Sequence, residues 1–191
     1  MNLPNKLTLA RVLAVPVYVV FMLRSDTPLN YLWAFLIFCI ASVTDMIDGK
    51  IARKRGLVTD LGKFLDPLAD KILVSSALIC FADLRWCFSF MVIIIICREF
   101  IVSGLRLVAA GNNDHVVIAA GILGKMKTAS TMVAMGIITF FHILGDNFGL
   151  LPEGFPLSLT ANILMGVCTL LTVISGADYL KKYWHLFTKS K

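Results

Sequence analysis

Charge is what this chain has least of. Asp, Glu, Lys and Arg together make up 16% of its 191 residues, against 58% apolar types. A water-soluble domain needs a polar surface that such a balance cannot supply, and a mean hydropathy of +0.83 points the same way. An ordered cysteine pattern is missing too. Cys39, Cys80, Cys87, Cys97 and Cys168 all fall in apolar runs, without C-x-x-C spacing or an adjacent histidine. They read as small buried hydrophobes, which excludes a disulfide framework or a zinc cluster. His115, His142 and His185 are too far apart to suggest a metal site and read as surface or interfacial imidazoles. No basic run is interleaved with aromatics, so the net charge of +6 speaks for anionic headgroups and membrane orientation, not for nucleic acid. No repeat, low-complexity run or composition break divides residues 1–191, so a single domain is expected. Finally, the apolar run at residues 12–23 ends in Arg24-Ser25-Asp26-Thr27-Pro28 and not in a small-residue cleavage site. It reads as a retained first span and not as a signal peptide.

What is present is a series of apolar stretches of bilayer length. A spanning helix takes about 20 residues, and six such stretches lie near residues 7–24, 30–53, 63–83, 86–109, 121–144 and 157–180. Short polar or Gly/Pro-containing breaks separate them. Unpaired backbone cannot face lipid, and the runs are far too long for barrel strands. The expected fold is therefore all-α: a polytopic membrane protein built as a six-transmembrane-helix bundle. With the N-terminus inside, all of the 18 Lys and Arg except Arg24 and Arg85 fall at or near inner ends. Both termini are then expected to be cytoplasmic.

Against this background four acids stand out. Asp45, Asp48, Asp66 and Asp70 lie inside or at the ends of apolar stretches. A carboxylate near the bilayer centre costs roughly 2.5 to 3.5 kcal/mol, so four would cost about 10 to 14 unless something cationic offsets them. Asp45 and Asp48 are three apart near the inner end of the second stretch, and Asp66 and Asp70 are four apart at the inner start of the third. Each spacing puts a pair on one helical face, and the short basic turn between the stretches keeps the pairs close. Hard oxygen donors so gathered suit Mg²⁺ or Mn²⁺, and two such ions are a common apparatus for displacement at phosphorus. Gly49 and Ala52 follow the first acids by a turn, and Gly62, Asp66 and Asp70 repeat every four residues. Small residues there let a bulky ligand lie against the backbone, or serve tight helix packing. Pro67 cannot donate to the Lys63 carbonyl, so the third helix either kinks there or begins at Asp66 as its N-cap.

Asp45-x-x-Asp48-Gly49-x-x-Ala52-Arg53, eight residues, then Gly62-x-x-x-Asp66-x-x-x-Asp70 resembles the signature of the CDP-alcohol phosphatidyltransferase family. The resemblance implies a dimeric six-helix membrane enzyme that moves a substituted phosphoryl group from a CDP-linked donor to an alcohol and releases CMP. It implies Asp45, Asp48 and Asp66 as metal ligands, with Asp70 beside the metal as general base. Gly49, Ala52, Arg53 and Gly62 would face the nucleotide and diphosphate of the donor. Asn5-x-x-Thr8-x-x-Arg11 resembles the family's N-terminal contribution to the donor site, although interfacial residues at that helical spacing need no ligand.

The acceptor has to be read elsewhere. Arg98 lies well inside the fourth stretch, with Arg106 two turns on and Lys125 and Lys127 entering the fifth. Snorkelling cations on the inner side account for Arg106 and Lys127 as well as function does. Arg98 is deeper and wants an anion, with Glu99 expected to point to another face of the helix. An acceptor that is itself a phosphate monoester would supply that anion. Residues 98–106 and 124–128 resemble bacterial members of the family that use CDP-diacylglycerol and sn-glycerol 3-phosphate. The resemblance implies a cytoplasmic (inner) membrane location with the site facing the cytoplasm. Competing acceptors are inositol phosphate, serine or a second phospholipid. From another class, intramembrane carboxylates also mark cation or proton transporters. Those line a path reaching both sides, whereas here all four acids sit at one end.

Overall fold

The structure is a computed structural model; it describes residues 3–55, 60–111 and 121–188, and the side chains of 6–44, 68–105 and 121–183. The described residues form six α-helices and no strand: α1 (Leu3–Leu23), α2 (Asn30–Arg55), α3 (Asp60–Asp83), α4 (Ser89–Gly111), α5 (Ile122–His142) and α6 (Leu157–Thr188). A π-helical turn, Ile143–Asn147, extends α5. Each helix falls on one of the six apolar stretches. Three are long and apolar enough to cross a membrane among the described residues: the segments Lys6–Leu23, Ile122–Asn147 and Leu157–Tyr183. Their outward faces carry large apolar side chains, such as Leu13 on α1, Val133 on α5 and Leu170 on α6, each about three-fifths exposed. Such a surface suits lipid and not water.

The breaks have local causes. After α1 the chain passes Pro28, and Leu29 takes a left-handed φ of 55° before α2 begins. Between α3 and α4, Arg85 does the same at φ 58°. The backbone N–H of Phe88 at the start of α4 donates to Asn162 Oδ1 of α6 at 2.9 Å, so one orphan donor of a helix start finds a side-chain acceptor. One expectation is corrected here. The third helix does not begin at Asp66: α3 is helical from Asp60, and Pro67 lies within it. One missing N–H removes a single bond from the ladder, and the flanking turns keep the helix continuous.

The described chain divides into two compact units, Met1–Leu84 with Met135–Leu157, and Arg85–Ala134 with Ser158–Lys191. In the first, α1 packs on both α2 and α3, and α2 also meets α3 and the π turn. Tyr18 and Met22 of α1, Ala34 of α2, and Ala77 and Phe81 of α3 are buried in it, with the Tyr18 and Phe38 rings 6.1 Å apart. In the second, Val102 of α4 and Tyr179 of α6 are buried together with Tyr183 against them. Hydroxyls inside the helices are satisfied by their own backbone: Thr131, Thr139, Thr169 and Thr172 each donate to the carbonyl four residues earlier. An apolar bundle offers them few other acceptors.

Candidate active site

The two acidic pairs sit on helices that pack together. Asp45 and Asp48 belong to α2, and Asp66 and Asp70 to α3. Helical backbone runs through both pairs, so the three- and four-residue spacings do place each pair on one face. Asp70 is half-buried, directly after the fully buried Ala69. The side chains of Asp45, Asp48 and Asp66 lie outside the described residues, as do those of Ala52, Arg53 and Asn5 and the surroundings of Gly49 and Gly62. The donor set itself, four carboxylates on two adjoining helices, fits a hard divalent cation by its chemistry.

Thr8 and Arg11 are more tightly held than interfacial residues would be. They are buried in the first unit, at 0% and 3% exposure, and Arg11 Nε donates to the Ala41 carbonyl of α2 at 3.2 Å. Ala41 is one turn before Asp45 in the same helix. Arg11 is therefore held against α2 about one turn before Asp45. A groove of about 270 Å³ runs beside it, lined by Leu7, Ala10, Arg11 and Ala14 of α1 and by Ile37, Ile40, Ala41 and Thr44 of α2. It is apolar along its walls with one cationic residue, the character of a site for an amphipathic ligand.

The second unit gathers the other cations. Arg98 of α4 donates through Nη2 to Ser175 Oγ of α6 at 2.6 Å and through Nη1 to Glu99 Oε1 at 3.3 Å. Lys127 of α5 also pairs with Glu99 Oε1. Two sequence expectations change. Glu99 does not point away from Arg98; its side chain bridges Arg98 and Lys127, because a long guanidinium stem can fold back over a neighbouring residue. Nor does Lys127 snorkel to water, since it is 2% exposed. Among the described charges of this cluster two cations share one carboxylate. Arg98 Nε is buried without an acceptor among the described residues. Lys125 is exposed at the start of α5, and Arg106 lies on α4 with its side chain outside the described residues. Ser175, Gly176 and Tyr179 escaped the sequence reading. Their one signal, a Ser-Gly pair in an otherwise apolar helix, is also what tight packing produces.

Helices throughout the described residues, three of them long and apolar enough to cross a membrane, put the chain in the class of helical membrane proteins, here with four aspartates on two packed helices and a cationic cluster on α4 and α5. Comparison with known proteins makes this particular. The family model for CDP-alcohol phosphatidyltransferase matches residues 1–174, and the chain belongs to that family. A Bacillus subtilis (strain 168) protein named CDP-diacylglycerol--glycerol-3-phosphate 3-phosphatidyltransferase is 42% identical over 99% of this chain and 98% of its own length. A Rickettsia bellii protein of the same name is 38% identical over 94% of each chain. A rice protein named cardiolipin synthase (CMP-forming) is 35% identical over 99% of this chain but only 59% of its own length.

Proposed function

We propose that this chain transfers the phosphatidyl group of CDP-diacylglycerol to sn-glycerol 3-phosphate, giving phosphatidylglycerophosphate and CMP in glycerophospholipid synthesis. The geometric observation that carries the choice of acceptor is Arg98. It is a largely buried guanidinium whose carboxylate partner is shared with Lys127 and whose Nε has no acceptor among the described residues. An acceptor bearing a phosphate offers the charge and oxygen lone pairs such a group needs. Serine does not. The near end-to-end likeness to relatives named for this reaction supports the same reading.

In this mechanism Arg98, Arg106, Lys125 and Lys127 hold the acceptor's phosphate. Thr8 and Arg11, with Asn5, Gly49, Ala52, Arg53 and Gly62, hold the donor's nucleotide and diphosphate, and the groove between α1 and α2 takes apolar parts of the lipid. Asp70 removes the proton from the C1 hydroxyl of glycerol 3-phosphate. The freed oxygen attacks the β-phosphorus in line, the bond to the bridging oxygen breaks, and CMP departs with that oxygen. Asp45, Asp48, Asp66 and Asp70 would hold one or two Mg²⁺ or Mn²⁺ ions, which when bound offset negative charge on the phosphoryl oxygens and leaving group. Arg53 adds a fixed positive charge beside the diphosphate.

The wider reading has six spans forming one domain, with both termini and the site at the cytoplasmic face of a bacterial inner membrane and the chain working as a homodimer. The positive-inside distribution of Lys and Arg supports the orientation, and the family resemblance supports the dimer.

The test is CMP release by purified protein in detergent. It is given CDP-diacylglycerol and Mg²⁺, with glycerol 3-phosphate, inositol phosphate, serine or phosphatidylglycerol offered separately. Release dependent on glycerol 3-phosphate and abolished by EDTA is the expected result. Release with phosphatidylglycerol alone would favour the activity named for the rice relative. No release with any acceptor, in folded protein, would return ion transport to the front.

A further inference from the structure

Arg98 leans on one short stretch of α6. Ser175 Oγ accepts from its Nη2 at 2.6 Å. At the next residue, Gly176, an added Cβ would stand 3.2 Å from Arg98 Cγ. One turn beyond Ser175, the Tyr179 ring centroid lies 6.0 Å from the guanidinium carbon, within range of a cation–π attraction. Ser175 and Tyr179 are 1% and 3% exposed, and their spacing of four puts them on the same face of the helix. From the other side, Glu99 takes Nη1. A guanidinium carries five N–H donors, and this one has its plane fixed while its Nε–H has no acceptor among the described residues. Neutralisation alone would need only a private carboxylate. The arrangement instead orients the cation and leaves part of its hydrogen-bonding capacity unspent, as a preorganised anion-binding group requires.

We propose that Ser175, Gly176 and Tyr179 are positioning residues. They set the affinity for glycerol 3-phosphate by fixing the Arg98 guanidinium, without contacting the substrate themselves. Ser175 supplies the hydrogen bond that sets the direction of the fork, Gly176 the room for the side-chain stem, and Tyr179 a face against which the guanidinium rests. The proposal rests on the reading of Arg98 as a binding group for the acceptor's phosphate, and the experiment separates the two.

Steady-state CMP release by the purified full chain gives kcat and the KM for each substrate, and calorimetry reads glycerol 3-phosphate binding independently of turnover. Ser175→Ala is expected to raise the KM for glycerol 3-phosphate by about five- to tenfold, the effect of losing one hydrogen bond of ordinary net strength. Its kcat and donor KM should stay within about twofold of the parent. Ser175→Thr, which keeps the hydroxyl, should recover most of the loss. Gly176→Ala should raise the same KM, because its new methyl displaces the Arg98 stem. In an Arg98→Lys background, which lacks the fork, Ser175→Ala should add less than about a twofold change. An equal effect of Ser175→Ala in both backgrounds, or an unchanged KM in Ser175→Ala, overturns the proposal while leaving the acceptor reading intact. A fall in thermal stability with both KM values moving together, not rescued by Thr, overturns it as a structural role. If Arg98→Lys itself leaves glycerol 3-phosphate binding unchanged, the acceptor reading fails and takes the proposal with it.

Discussion

At the scale of single residues the acids and cations make separable demands. Asp70→Asn keeps the shape of the half-buried side chain on α3 but removes a base, so kcat should fall by about 10²- to 10⁴-fold. Mg²⁺-dependent thermal stabilisation of the same variant tells its roles apart: retained stabilisation with lost turnover marks the base, and loss of both marks a metal ligand. Glu99→Gln bears on the other cluster. It leaves Lys127, 2% exposed, without its carboxylate, and breaking a buried pair costs about 3 to 5 kcal/mol. Thermal unfolding in detergent should show a marked loss, and adding Lys127→Met should recover much of it by removing the stranded cation. If Glu99→Gln unfolds like the parent, the pair contributes no stability. These candidate residues were legible in the sequence, because an Arg deep inside an apolar run and acids at three- and four-residue spacing are costly in lipid. The direction of Glu99 was not legible. Residue spacing gives the azimuth of each Cα around the helix, and long side chains then choose their partners in three dimensions.

At the scale of elements, α1 does more than cross a membrane. It packs on both acid-bearing helices, and beside Arg11 it leaves the groove whose lining includes Ala41 and Thr44, the latter directly before Asp45 in the chain. Ala14→Phe should fill part of that groove and raise the KM for CDP-diacylglycerol several-fold, by about 1 kcal/mol or more of lost apolar contact. The KM for glycerol 3-phosphate should not move. Equal changes in both values would mean that the groove is packing space and not a lipid site. The helices themselves follow from apolar length, and their bounds fall within a few residues of the sequence reading in most cases. The departures have physical reasons. α6 continues to Thr188, past the apolar run, since Lys181 and Lys182 favour a helix C-terminal half as well as they favour water. The π turn at Ile143–Asn147 depends on how one extra residue is absorbed where α5 ends, and no local residue pattern announces that. Pro67 sits inside α3 because surrounding turns outweigh one missing donor.

At the scale of the molecule, sidedness is the strongest consequence of the charge distribution. Lys and Arg gather at one set of helix ends, with Arg24 and Arg85 as the exceptions in the two breaks α1–α2 and α3–α4. The acidic pairs lie toward the ends of α2 and α3 that flank the basic run Arg53-Lys54-Arg55. Positive loops stay in the cytoplasm, so the orientation proposed above opens the site to that side. Sealed inside-out vesicles from expressing cells should therefore release CMP when CDP-diacylglycerol in the bilayer is joined by external glycerol 3-phosphate and Mg²⁺. Right-side-out vesicles should not, until a pore-forming detergent admits the substrates. EDTA outside should silence the inside-out preparation, and excess Mg²⁺ or Mn²⁺ should restore it. Activity confined to right-side-out vesicles before permeabilisation would invert the orientation argued from charge. The carboxylate quartet would then face outward together with the basic run Arg53-Lys54-Arg55 beside it, and the chain would carry its densest positive charge on the side that positive loops avoid.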